Sequence, residues 1–518
     1  MQNRLQTEFV SLQRTICSGT LLLVLCMFVG CVRVDPHADF AKTQQTLSER
    51  TGVVETYDPS IDGLVVKKVS ALIRDGVTVD ETVQIAFLNH RGFQSLFHVI
   101  GASRADVVQS GLMRSPALSL SVRFPEGGGR SSFNLGLAQE IVDLWQIPVR
   151  KKIAEAELEQ TISAVLQRGI ELAAEVQTGA YRLLGLRLAE QIAQENLELA
   201  EQSLKVAQAR LDAGDVGPID VNLVRSHVYE IQQGIISVRR DRRLAEVSLA
   251  RSMGLVLWPT TWELIGSIDE GGRPPSAVDE LLTFAYDERF DVKRARQFAD
   301  AAEGQLEREW LDVFPSIQVG PQFERNDRRA LPGRTILADT ARASVAAGAP
   351  TAPTIESRGQ RNLVRRQFID TLLGPSIQIT LPLWDQNQAQ IERSRRLVLQ
   401  RRKELDDLRE ATGLEVQQAW ISATAAADLV AFFRDKSLPQ ASNNLETVRQ
   451  QYEVGDQSVI ILIEAQEFLI QQRRYFVDAQ RDLAVAMTGL RRAVGGKMPL
   501  LTTSQPAHEP VEGSHHAN

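Results

Sequence analysis

Two hydrophobic periods alternate along this 518-residue chain. From Val77-Thr78-Val79-Asp80-Glu81, where Thr78 or Asp80 can cap a helix, apolar residues recur at helical spacing through Val83, Ala86 and Phe87. That pattern continues, with breaks, to Ser115. After Pro116 the period switches to two: Leu118, Leu120, Val122 and Phe124 alternate with Ala117, Ser119, Ser121 and Arg123. Beyond a Gly127-Gly128-Gly129 turn, Phe133, Leu135 and Leu137 alternate with Asn134, Gly136 and Ala138. A second hairpin sets Ile317, Val319 and Phe323 against Ser316, Gln318, Gly320 and Gln322. Its return strand sets Ile377, Ile379 and Leu381 against Ser376, Gln378 and Thr380.

Long helical stretches follow each hairpin. Ile147 to Asp212 contains no proline after Pro148 and is rich in Ala, Glu, Leu and Gln, which predicts a helix of about 100 Å at about 1.5 Å per residue. Gln386 to Glu453 matches it, with Gly413 and Pro439 as expected kinks. Each ends in a Gly-Asp turn, Ala213-Gly214-Asp215 or Val454-Gly455-Asp456, and the chain re-enters a shorter helix, Ile219–Met253 or Val459–Val494. Two short helices end to end equal one long one, so antiparallel pairing builds either a tube wall or a solvent-exposed coiled-coil rod.

The chain also repeats itself. One fixed offset pairs Leu204 with Leu445, Gly214-Asp215 with Gly455-Asp456, Arg240-Asp241 with Arg481-Asp482, and Gly254 with Gly495. Upstream, another pairs Val79-Asp80-Glu81 with Val278-Asp279-Glu280, Ala86 with Ala285, and Pro116 with Pro315. A tandem duplication accounts for both: residues 77–254 and 276–495, joined by a 255–275 linker containing Gly271-Gly272-Arg273-Pro274-Pro275. The change of offset requires an insertion in the second hairpin, about residues 324–373, with nine Arg against five acidic residues. It is either a solvated loop or a surface for lipopolysaccharide phosphates.

Four strands with one greasy and one small or polar face suit a soluble sandwich or a membrane barrel. No further β-like stretch completes a sandwich core. A barrel uses this alternation, apolar outside and polar inside, but needs at least about eight strands, so these four must join strands from other copies.

The N-terminus carries Arg4 and Arg14, then the apolar run Leu21 to Val29, which reads as a secretory signal (residues 1–30) too short to span a bilayer. It ends in Phe28-Val29-Gly30-Cys31, similar to a bacterial lipobox, which makes Cys31 the expected lipidation site and 31–76 a lipid-anchored lead. All three cysteines lie here, which excludes a disulfide scaffold or a Cys-based zinc module. A net charge of −7 excludes a basic nucleic-acid footprint. Aromatics are only 6%, which fits long helices in small-residue contact. No phosphate loop and no His-Glu-x-x-His occurs, and the seven His are scattered at 37, 90, 98, 227, 508, 515 and 516. No catalytic residue, cofactor or metal site is expected. Residues 496–518 read as a disordered tail.

The residues now on the page resemble the TolC family of outer-membrane efflux channels, in particular its lipoprotein heavy-metal-pump branch (the CzcC and CusC type). The carriers are Val77 to Ala86, Ala105-Asp106-Val107-Val108-Gln109-Ser110-Gly111 ahead of Pro116, Leu381-Pro382-Leu383-Trp384-Asp385-Gln386-Asn387-Gln388, and the two Gly-Asp tips. Asn89-His90-Arg91-Gly92 departs from the branch's usual Asn-Pro. The resemblance implies a mainly α fold with a small β part: duplicated long-helix hairpins forming an α-barrel tunnel, and four strands per chain in a shared 12-stranded transmembrane β-barrel. It implies a homotrimer in outer-membrane lipid, a periplasmic adaptor (membrane fusion) protein meeting Gly214, Asp215, Gly455 and Asp456, and an inner-membrane pump of the RND type. Asp215, Asp220 and Asp456 are, by position, the candidates for the pore entrance. The alternatives are a helical lipoprotein rod or adaptor, and the outer-membrane component of a type I secretion system.

Overall fold

The computed structural model describes residues 33–124, 131–255, 262–268, 272–275, 277–327, 345–348, 369–454 and 456–498. The signal, Cys31, the Gly127–Gly129 turn, Gly455, most of the insertion and most of the tail lie outside the described residues. Those described form two compact units, each drawn from both halves of the chain. One takes residues 105–156 and 300–400, and the other takes the segments before, between and after them.

The first of these units holds one antiparallel sheet. Its strands β1 (Ala117–Arg123), β2 (Ser132–Glu140), β3 (Ser316–Asp327) and β4 (Ile369–Thr380) lie in the order β1-β2-β3-β4. The two hairpins, remote in sequence, are therefore zipped through β2 and β3. The register aligns the predicted greasy positions: Leu120 faces Leu135, Leu135 faces Phe323, and Phe323 faces Leu373, a row across all four strands. The neighbouring row is Ser119, Gly136, Gln322 and Gly374. β3 and β4 run further than the alternation suggested, so residues 324–327 and 369–373, expected in the insertion, are strand.

Where β2 meets β3, pairing skips Gly320-Pro321, because proline has no N–H to donate. There the backbones approach so closely that a Cβ on Gly320 would lie 1.6 Å from the Leu137 carbonyl oxygen, whereas one on Gly374 would meet nothing within 4 Å. The chain leaves β2 through buried Asp143, whose carboxylate accepts the Arg114 backbone N–H at 3.0 Å and lies 3.3 Å from the Arg150 guanidinium. It leaves β4 through Asn387, held at φ 61, whose amide donates to the Glu309 carbonyl oxygen at 2.9 Å. Asparagine tolerates this left-handed backbone better than most residues, which gives the Trp384-Asp385-Gln386-Asn387 motif its local purpose.

Before the sheet come α1 (His37–Thr51), α2 (Val65–Ile73), α3 (Val79–Asn89) and α4 (Arg91–Ser110). The predicted cap holds: Thr78 Oγ1 accepts from Glu81 N–H, and Glu81 returns a bond to Thr78 N–H at 2.8 Å. The helical stretch expected to run with breaks toward Ser115 breaks at His90, whose backbone turns extended and whose Nδ1 accepts the Phe93 N–H at 3.1 Å. The imidazole thus caps the next helix, and the break needs no proline. The lead, expected only as a tether, is folded from residue 37. Phe40, Leu47 and Tyr57 are buried beside Phe93 and Phe97, with Tyr57 and Phe97 edge-on at 5.7 Å.

After the first hairpin run α5 (Asp143–Ala213) and α6 (Pro218–Ser252). After the linker run α7 (Val278–Glu288) and α8 (Phe290–Leu311), then, past the second hairpin, α9 (Gln388–Phe432), α10 (Leu438–Glu453) and α11 (Val459–Ala493). At 71 residues, α5 spans about 107 Å. Its counterpart is interrupted at a π-helical turn, Phe433–Ser437, immediately before Pro439. Gly413 is no kink: its missing side chain makes room for the Tyr286 hydroxyl, 2.6 Å from where a Cβ would lie. Across the helices, Glu190 of α5 accepts from Arg239 of α6 at 2.9 Å and lies 2.7 Å from the Arg242 guanidinium, an ion pair. Burial opposes ionisation of Glu190, but these two guanidinium groups outweigh it and hold its carboxyl below the usual range.

Each half ends its shorter helix against its own helix break. Gly254, at φ 72, lies against Asn89 and His90, and Asn89 Nδ2 donates to its carbonyl oxygen at 2.7 Å. Gly495, at φ 97, lies against Arg289, the break between α7 and α8, and Arg289 donates to the Ala493 carbonyl oxygen at 2.9 Å. Arg289 is buried and also grips Asp291 at 2.6 Å and Glu415 at 2.7 Å. Burial opposes its charge, but those carboxylates more than restore it, so the guanidinium is held more firmly protonated than usual.

Replacing Arg289 by Met strands Asp291 without its partner and is expected to cost about 3 kcal/mol. Arg289→Lys should recover only part, since one ammonium cannot reproduce a three-way fork; thermal unfolding of the three proteins in detergent measures both. Gly320→Ala should force β2 and β3 apart, lowering the unfolding midpoint, while Gly374→Ala leaves it within error. Equal midpoints for the two glycine variants would refute the close approach.

Candidate functional site

The site the sequence nominated is the pair of Gly-Asp turns, and the structure brings them to one end of the helical unit. Gly214 takes φ 85, with N–H groups of Gly214 and Asp215 donating to the Leu211 and Arg210 carbonyls at 3.0 and 2.8 Å. In the second turn Asp456 N–H donates to the Gln451 carbonyl at 3.0 Å, the bond equivalent to that of Asp215. Gly455 lies outside the described residues. Just behind the turns, the Arg210 guanidinium sits 4.9 Å from the centre of the Tyr452 ring and donates to the Tyr452 carbonyl at 3.4 Å.

The two hairpins pack through one apolar cluster that includes Ala207, Val221, Val224, Val448, Tyr452 and Leu462. This leaves Asp215 and Asp456 exposed. Asp220 behaves differently: its carboxylate accepts the Gly217 N–H at 3.1 Å and caps α6, where Pro218 supplies no donor. Around the turns Ile219 and Val454 are each 74% exposed, an apolar surface that the sequence pattern did not single out.

A second constellation lies further along the same helices. His227 and Glu230 occupy one face of α6, and Glu467 reaches toward them from α11, their ligating atoms all within 4.8 Å of one another. Its members are separated by 240 positions, so no spacing in the sequence revealed it. Among the described residues, no helix is long and apolar enough to cross a membrane.

Known proteins share this architecture. The outer membrane efflux protein BepC of Brucella suis is 22% identical over 318 residues, spanning 60% of this chain and 60% of its own length. The structure of CusC superposes with a TM-score of 0.63 at 17% identity, covering 81% of this chain and 92% of that one. The outer membrane protein VceC of Vibrio cholerae superposes with a TM-score of 0.59 at 14% identity, covering 81% of this chain and 96% of its own. The outer membrane efflux protein family matches residues 83–255 and 281–496, one stretch in each half, with a hairpin and a tip in both. The chain belongs to the outer membrane efflux protein family.

Proposed function

We propose that this chain is one subunit of a homotrimeric outer-membrane duct in a tripartite export system, passing small solutes from periplasm to exterior. The observation that carries this reading is the sheet. Its greasy row is exposed, with Leu118 at 71% and Leu373 at 70%, and its edges β1 and β4 have no neighbour among the described residues. Unpaired backbone edges are intolerable in lipid, so only closure with further copies makes such a sheet viable there. Three copies give twelve strands, a size within the bacterial range.

Other features support the same reading. Trp145, Trp310, Phe314 and Trp384 are all exposed where chain enters or leaves one end of the sheet, the composition of an aromatic girdle at a membrane interface. Along α9, Leu414, Ile421, Leu429 and Phe432 recur on one face and are exposed, a stripe suited to a neighbouring copy. The apolar tip around Ile219 and Val454, with Asp215 and Asp456 beside it, is the surface for a periplasmic adaptor protein, itself engaged with an inner-membrane pump of the RND type. Cys31 carries the lipid. The resemblance to the heavy-metal branch makes metal cations the first cargo to assay, and drugs the second.

Purified from outer membranes in detergent, the protein should run as a trimer by light scattering and open ion-conducting channels in planar bilayers. A monodisperse monomer without conductance would overturn the reading in favour of a helical rod or adaptor. The Asp215→Asn/Asp456→Asn double variant should lower the preference for cations at low salt, because the entrance loses its negative field. Cys31→Ala should abolish incorporation of labelled palmitate, while trimers still form because the sheet, not the lipid, holds the copies together.

A further inference from the structure

We propose that His227, Glu230 and Glu467 form a binding site for a divalent transition-metal cation, a resident ion that cross-links α6 of the first half to α11 of the second. The site is separate from the tip and does not depend on what the duct exports.

The argument starts from His227. Its side chain is only 8% exposed, and neither ring nitrogen makes a hydrogen bond among the described residues. Leaving a buried imidazole unsatisfied is costly, and a native structure keeps such a group for a reason. The Glu467 carboxylate comes within 3.2 Å of Nδ1 but at an angle that makes no hydrogen bond. Glu230, three residues on, shares its helix face, the spacing that lets two side chains of one helix reach one point.

The surroundings also suit a cation. The three groups line a groove of about 740 Å³ whose other charged members are Asp241, Asp478 and a single cationic group, Arg474. Asp241 and Asp478 are already paired, with Arg240 at 2.7 Å and Arg481 at 2.5 Å, which leaves Glu230 and Glu467 as the carboxylates turned to the imidazole. One imidazole nitrogen with two carboxylates suits Zn²⁺, Ni²⁺ or Co²⁺ over Mg²⁺ or Ca²⁺. Ligand distances of about 2.1 Å place ligating atoms about 3.4 Å apart. Both glutamates are exposed and free to close that gap from the 4.8 Å spread observed. Three protein ligands leave further positions for water.

The duplication does not repeat the set. The offset that relates the two tips carries His227 to Phe468 and Glu230 to Gln471. The ion would therefore lie on one side of each pair of tip hairpins and break their symmetry.

The test is calorimetry with Zn²⁺ on full-length protein stripped with EDTA, in a His515→Ala/His516→Ala background that removes the paired histidines of the tail. One Zn²⁺ per chain should bind, with Mg²⁺ failing to compete. His227→Gln should abolish binding. Glu467→Gln, an exposed substitution that leaves the packing intact, should weaken it at least about tenfold, the loss that removing even an outer-shell partner causes. Co²⁺ should give a visible absorption band that the same variants lose. Absence of stoichiometric binding, or binding unchanged by Glu467→Gln, overturns the proposal.

Discussion

The rest of this chain is arranged around a four-stranded sheet whose two outer strands have no neighbour among the described residues. Four antiparallel strands satisfy their inner hydrogen bonds through the β1–β2, β2–β3 and β3–β4 ladders, but the outer edges of β1 and β4 are unpaired among the described residues. In water, such edges invite aggregation and are normally blunted by charge, proline or a bulge. Here the exposed rows are apolar from Leu118 to Leu373, so the faces of the edge strands stay greasy. In lipid, the same rows are the favourable surface, and the open edges become the instruction to assemble. The prolines obey that logic: Pro321 and Pro375 face one another across β3 and β4, and the Gly320 approach absorbs the missing bond opposite Leu137.

The helices solve a different problem, which is how to return a chain over about 100 Å without losing register. Each half solves it with a glycine. Gly254 and Gly495 end the shorter helices in left-handed backbone and admit a neighbouring helix break to contact distance, Asn89-His90 in one case and Arg289 in the other. The bonding chemistry then diverges. The first half uses a neutral amide on a carbonyl, while the second uses a buried guanidinium that also neutralises Asp291 and Glu415. Arg50 of α1 adds a further tie by pairing with Glu288 beside that guanidinium, so the N-terminal lead contributes to the fold as well as preceding it. Burial opposes ionisation of Glu288, yet Lys293 and Arg50 hold its carboxyl low. This contribution is present at neutral pH and disappears as pH falls through the lowered value.

Much of this was legible in the residues. Period-two alternation gave four strands because each strand has one face toward apolar surroundings, and two of its boundaries, Ala117 and Ser316, follow directly from the helix-stopping prolines. Strand order was not legible, since β2 pairs with β3 across almost two hundred intervening residues and no local signal encodes that. The His90 break was also hidden, because an imidazole acting as a cap is an uncommon substitute for Ser, Thr, Asp or Asn. Gly413 was misread as a hinge for a general reason: a glycine inside a helix signals either flexibility or close packing. Only the position of Tyr286 distinguishes the two.

The tip residues divide along the same line. Gly214 and Asp215 could be read from sequence because a left-handed turn demands glycine and an exposed turn favours aspartate. Asp220 was grouped with them by position, and its carboxylate also accepts the Gly217 N–H, a bond that an aspartate in the first turn of a helix opening with proline naturally makes. His227 reverses the case. It is one of seven histidines with no motif around it, and only the packing of α6 against α11 gives it two carboxylates and, among the described residues, no hydrogen-bond partner. A duplicated chain is expected to place equivalent residues in equivalent settings. Where it instead builds a buried imidazole on one side and Phe468 on the other, the pair of tip hairpins carries a chemical asymmetry that the duplication itself does not supply.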